Sequence, residues 1–135
     1  MRFSHHNLLV ELNDEWWSEA EMSGFAPQCK AYRAPGSYKG QHVQEVPIAD
    51  IGPLHRASIF KDDLEEEHKT ARERVLRLLR GFRAGDSIPP VEIVDSPPGY
   101  GFPYKLTHGA HRLYCSLASG FTHVPIIKGV DWHSL

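Results

Sequence analysis

Tyr104-Lys105-Leu106-Thr107-His108-Gly109-Ala110-His111-Arg112 is the stretch whose reading decides the fold. A strand ends here, Gly109 permits a tight turn, and a helix follows from Gly109 to Ser119 with Gly120 as its stop. The first amides of a helix have no partner within it, and with the helix dipole they attract anions. His111 and Arg112 add side-chain donors in the first turn, and an arginine can grip phosphate at two points. Gly109 and Ala110 carry no bulk that would keep a phosphate off the backbone. The alternative reading of the same residues is a plain strand-to-helix turn with a surface arginine and a capping histidine.

Working outward, Val91-Glu92-Ile93-Val94 reads as a strand by its β-branched residues, Ser96-Pro97-Pro98-Gly99 as a turn, and Tyr100 to Thr107 as the returning strand. Thr122 to Lys128 closes as another strand. Upstream, a helix is expected from about Asp63 to Phe82, because Ala71, Val75, Leu78, Leu79 and Phe82 recur at helical spacing and form one buried stripe. Val43 to Ile48 reads as a strand with Pro47 near its end, and Ile51 to Asp63 as irregular. The order β, α, β, β, α, β describes a compact α+β domain. Residues 1–40 form an arm ahead of it: a short strand at Leu8 to Leu12, then a helix over Glu15 to Met22 capped by Asn13-Asp14 and stopped at Gly24. The turn-rich stretch Ala34 to Gly40 links this arm to a domain over 41–135. Trp16 and Trp17 are too apolar for a free tail, so the arm is expected to pack on the core.

The composition narrows the function classes. With 135 residues, 41% hydrophobic and 24% charged, the chain suits one globular domain and not a disordered one. A formal charge of -2 argues against DNA binding by bulk electrostatics. There is no apolar run long enough to span a membrane, no secretory signal at the N-terminus, and only Cys29 and Cys115 as thiols, which reads as a cytoplasmic protein. His108, His111 and Cys115 form an H-x2-H-x3-C series, but no fourth ligand has a telling position, so no zinc is expected.

The stretch from Val43 to Lys128 resembles the ParB/sulfiredoxin superfamily. The landmarks are Val46-Pro47-Ile48-Ala49-Asp50-Ile51, the helix ending before Pro89-Pro90-Val91-Glu92-Ile93-Val94, the turn His108-Gly109-Ala110-His111-Arg112-Leu113-Tyr114, and Gly120-Phe121-Thr122-His123-Val124-Pro125-Ile126-Ile127. The resemblance implies a small α+β domain with a mixed sheet, whose Gly-x-His-Arg turn binds nucleotide phosphates. By the resemblance Gly109, His111 and Arg112 hold the phosphates, Arg74 falls at the position of a nucleotide-contacting lysine, and Arg56 falls where the chain bends back over the phosphates. The full candidate set for phosphate or nucleotide binding is Thr107, His108, Gly109, Ala110, His111 and Arg112 with Arg56, Arg74 and Arg77, although Arg77 stands where the family has a hydroxyl. In sulfiredoxins the residue between this glycine and histidine is the redox cysteine; Ala110 cannot be a nucleophile, so that activity is not expected. ParB partition proteins continue into a helix-turn-helix domain, for which these 135 residues leave no room. Free serine kinases of the superfamily carry a Gly-His-His-Arg turn, similar to Gly109-Ala110-His111-Arg112. Phosphoryl transfer of that kind needs a carboxylate base, for which Asp50 and Glu45 are the candidates.

The reading is therefore a nucleotide- or phosphate-binding domain, using ATP or another nucleotide, with Mg where catalysis is involved, and a small-molecule substrate. One alternative is a DNA-binding or nuclease-type ParB-like protein. Another is a non-catalytic interaction module whose Trp-bearing arm docks a partner.

Overall fold

The computed structural model describes residues 1–54, 60 and 71–129. Two short strands, β1 (Arg2–His5) and β2 (Leu8–Glu11), form a hairpin, followed by helix α1 (Asp14–Glu19). A second, minimal hairpin joins β3 (Ser37–Tyr38) to β4 (Gln41–His42). Strand β5 (Gln44–Pro47) runs into a 3-10 turn over Ile48–Asp50. Then come α2 (Ala71–Ala84), β6 (Val91–Asp95), β7 (Tyr104–His108), α3 (Ala110–Ala118) and β8 (His123–Lys128). The result is a small α+β domain with a mixed sheet and, among the described residues, three α-helices.

The main sheet has the order β5-β8-β6-β7. β6 and β8 are parallel, with Val91 opposite Ile126, while β5 pairs β8 and β7 pairs β6 antiparallel. The parallel pair needs a crossover, and α3 supplies it, packing on β6. α2 lies on α3, and α1 on α2. Val91, Ile93, Leu106, Val124 and Ile126 from the sheet meet Leu113, Tyr114 and Cys115 of α3 and Val75, Leu79 and Phe82 of α2 in one buried cluster. Each such side chain contributes about 1.5–3 kcal/mol on leaving water.

The first 40 residues belong to the same cluster through Val10, Leu12, Trp16, Met22 and Tyr32. Backbone bonds fasten them as well. The carbonyl of Lys30 accepts from the amides of Thr122 and His123, and the carbonyl of Arg33 accepts from Ile88. The Tyr32 hydroxyl donates to the Pro89 carbonyl at 2.6 Å while its ring stacks on Phe82.

Several boundaries differ from expectation. β1 was not anticipated; it pairs β2 with Phe3 opposite Val10 and His5 opposite Leu8. α1 ends at Glu19 and not near Gly24, because Glu21 already adopts a left-handed conformation. Its start is as expected, with the Glu15 amide donating to Asn13 Oδ1. The stretch read as a linker, Ala34 to Gly40, contains β3 and the turn of the β3–β4 hairpin. Next to it the Gln41 carboxamide bonds both the amide and the carbonyl of Lys128, a side chain standing in for a strand. The strand expected from Tyr100 begins only at Tyr104, since Gly99 and Gly101 have left-handed backbones. The stripe on α2 is as expected at Ala71, Val75, Leu79 and Phe82, while Leu76 is also buried because α1 covers that flank. The part of that helix expected before residue 71 lies outside the described residues.

Candidate functional site

Gly109 has φ 102° and ψ 33°, a left-handed conformation that a side chain strongly disfavours. A Cβ there would stand 2.9 Å from Val91 Cγ1 and 3.3 Å from the Val91 backbone. Glycine is therefore required twice over, by the turn angle and by the close approach of β6. The turn reverses the chain from β7 into α3 within one residue. No side chain caps the start of α3. The first turn thus meets an incoming anion with backbone amides and the positive end of the dipole.

Arg112, half-buried, reaches back along the turn. One guanidinium nitrogen donates to the Pro90 carbonyl at 3.1 Å, and the group lies close enough to Tyr32 to act on its hydroxyl electrostatically. Burial raises the Tyr32 pKa well above its ordinary value of 10.0, with Arg112 opposing this. Arg112 forms no ion pair among the described residues, so its charge is not neutralised there. Through its bond to Pro90 it ties the first turn of α3 to the segment that leads into β6. His111 is half-buried, its ring 5.8 Å from the ring of Phe60.

The other expected members are distributed unevenly. His108 is exposed at the end of β7. Thr107 uses its hydroxyl on the Glu92 carbonyl at 3.1 Å, so that group serves the sheet. Arg74 is half-buried and makes no hydrogen bond or ion pair among the described residues. Arg77 is not beside the turn in any observed contact. It lines an open groove of about 490 Å³ over the outer face of α2 with Arg72, Arg80, Glu19, Glu73 and Asp86, and none of residues 107–112 lines that groove. Arg56 lies outside the described residues.

The two carboxylates expected as a base are not brought to the turn. Glu45 is on β5, the far edge strand, facing Lys30 at 3.7 Å. Three strand spacings, about 14 Å, separate β5 from β7. Asp50 precedes Ile51, which bridges to Tyr104 at the opposite end of β7 from Gly109, about 17 Å away along an extended chain. The structure brings a different carboxylate to this place. Glu92 is the cross-strand partner of His108 at a bulge in the β6–β7 ladder, and it pairs with Lys39 Nζ at 3.1 Å. Lys39 arrives from the β3–β4 turn. The only sequence signal for Glu92 was its place in a strand next to the landmark turn, because cross-strand register is not written in spacing.

Cys115 is fully buried, and burial pushes its thiol far above the ordinary value, which makes it a packing group. Among the described residues no group of three His, Cys, Asp or Glu side chains could hold a metal ion. No helix among them is long and apolar enough to cross a membrane. Compared with known protein families and with curated proteins, the chain gives no match to either.

Proposed function

We propose that this chain is a phosphate- or nucleotide-binding domain of ParB/sulfiredoxin type, with the anion held at the Gly109–Arg112 turn. The observation that carries the reading is the uncapped, left-handed Gly109 start of the nine-residue helix α3. Arg112 beside it, without an opposing carboxylate among the described residues, supports the same reading. The resemblance implies a small α+β domain with a mixed sheet, and a domain of that class supports the reading. A phosphate oxygen would accept from the first-turn amides, with His111 and Arg112 supplying further side-chain donors.

A nucleotide would bring Mg²⁺ with its phosphates, and that ion needs only one or two protein carboxylates. Glu92 is the carboxylate at hand, provided that Lys39 gives it up. Transfer of a phosphoryl group to a small molecule, or hydrolysis of the nucleotide, follows from this arrangement only with such a second group. Binding is accordingly the primary claim.

The test is a thermal-shift series with ATP, ADP and inorganic phosphate, with and without Mg²⁺. A ligand at 100 times its Kd adds about 2.7 kcal/mol, on the order of 10 °C for a chain of this size. Ala110→Asp places a carboxylate among the same amides. It should abolish the shift while leaving the unliganded protein as stable or more so, since a negative charge in the first turn gains about 0.3–1 kcal/mol. A ligand shift that survives Ala110→Asp places the ligand elsewhere.

A further inference from the structure

His5 stands at the end of β1, only 4% exposed, with both ring nitrogens engaged. The Leu54 amide donates to Tyr114 Oη at 3.3 Å, and Tyr114 Oη lies 3.1 Å from His5 Nδ1. His5 Nε2 lies 3.3 Å from the Ile48 carbonyl, which can only accept. One assignment satisfies every partner: Nε2 carries the proton and donates to Ile48, while Nδ1 accepts from the Tyr114 hydroxyl. In this assignment the ring is neutral. An imidazolium would direct an N–H at Tyr114 Oη and leave the hydroxyl proton without its acceptor.

Burial opposes the extra charge and outweighs the backbone carbonyls of Ile48 and Ile51, which favour it. His6 on the same hairpin lies 4.5 Å away, ring to ring, and opposes it. α3 presents Tyr114, with Tyr100 of the β6–β7 loop behind it, and the Ile48–Asp50 turn presents a backbone carbonyl. Among the described residues no carboxylate bonds the ring. Burial accordingly lowers the His5 pKa below its ordinary value of 6.5.

The hairpin is held differently at its two ends. The open end is fixed by the Leu12 amide on the Met1 carbonyl, the Met1 ammonium on the Leu12 carbonyl and Asp14, and fully buried Val10 and Leu12. The turn end rests on His5, and on His6 Nε2 against the Ala49 carbonyl at 2.7 Å. That turn holds His6 and Asn7 in left-handed conformations, which cost free energy unless the surroundings enforce them.

We propose that His5 is an acid-released latch: proton uptake at Nδ1 frees the turn end of the β1–β2 hairpin from the Ile48–Asp50 turn and from α3, while the open end stays docked. The proton comes from solvent, and no covalent bond changes. The latch operates whether or not an anion binds at Gly109.

Amide hydrogen exchange on the whole chain at pH 7.5 and 5.5, corrected for the intrinsic pH dependence, tests it. Protection at residues 5–8 and at Leu54 should fall at least tenfold on acidification, while Ile93 and Ile126 keep theirs. His5→Gln should remove the pH dependence. The proposal is overturned if residues 5–8 are insensitive to pH, if the sheet loses protection in parallel, or if His5→Gln responds like the wild type. Should that variant fail to fold, an NMR titration of His5 in the wild type decides, and a pKa at or above 6.5 overturns the latch.

Discussion

Replacing Gly109 with alanine should be among the most damaging small substitutions in this chain, and its cost can be worked out from two parts. At φ 102° the new Cβ meets the preceding backbone, about 1–2 kcal/mol for an L-residue in the left-handed region. The same atom stands 2.9 Å from Val91 Cγ1, 3.1 Å from Val91 Cβ and 3.3 Å from Val91 Cα, an overpacking of about 1–3 kcal/mol. Gly109→Ala should therefore cost about 2–5 kcal/mol, read from urea denaturation as a lower midpoint with an unchanged slope. Val91→Ala alone should cost about 2 kcal/mol, since Val91 is fully buried. It removes Cγ1 but leaves Cβ and Cα, so it relieves only part of the clash. The double variant should be more stable than the sum of the singles by about 1 kcal/mol. Strict additivity, or a Gly109→Ala cost below about 1 kcal/mol, would mean that β6 does not press on the turn as described. The anion site would then lose the rigid geometry on which it depends.

Other expectations follow from single contacts. The His5 contribution to stability is complete above pH 6.5, the ordinary histidine value, and is lost as pH falls from there to the depressed folded pKa, because the unfolded chain binds the proton first; denaturation midpoints from pH 8 to 5 should show a fall that His5→Gln lacks. Ser119 Oγ is buried without a partner, so Ser119→Ala should be neutral or stabilising by up to about 1 kcal/mol, and a clear loss in calorimetry would contradict this. Gly52→Ala would put a Cβ 2.3 Å from the Tyr100 hydroxyl, displacing that ring; Tyr100→Ala in the same background should recover most of the loss in thermal melts. Tyr32→Phe removes the bond to Pro89 but keeps the stack on Phe82, and should cost about 1 kcal/mol in urea titrations.

The strand–turn–helix at Gly109 was legible because three independent local signals coincide there: β-pattern before, glycine at the reversal, helical spacing after. Asn13 was legible as a cap, and the α2 stripe by its period, for the same reason. β1 was not, because Arg2-Phe3-Ser4-His5 carries little strand preference and exists through its pairing with β2. The burial of α3 also differs from expectation. Leu113, Leu117 and Ala118 recur at helical spacing, yet Leu117 and Ala118 are only half-buried while Tyr114 and Ser116 are buried, because the helix is wrapped by the hairpin as well as by the sheet. At the candidate site the turn residues could be named in advance. The Glu92–Lys39 pair and the hold of Arg112 on Pro90 could not, since each depends on which strands become neighbours. Asp50 and Glu45 were candidates only because phosphoryl transfer needs a carboxylate, and no sequence signal placed them in space; the sheet order β5-β8-β6-β7 puts β5 at the far edge from β7.

His5 on the first strand and Tyr114 on the last helix are 109 positions apart, yet they share a buried hydrogen bond. During synthesis the amino-terminal hairpin and Trp16 leave the ribosome long before α3 exists to receive them. Val10, Leu12 and Met22 stay exposed as apolar groups at least until α2, on which α1 packs, has emerged. Such long-range closure predicts slow, late, cooperative folding, and a nascent chain that relies on holding chaperones more than its modest size suggests.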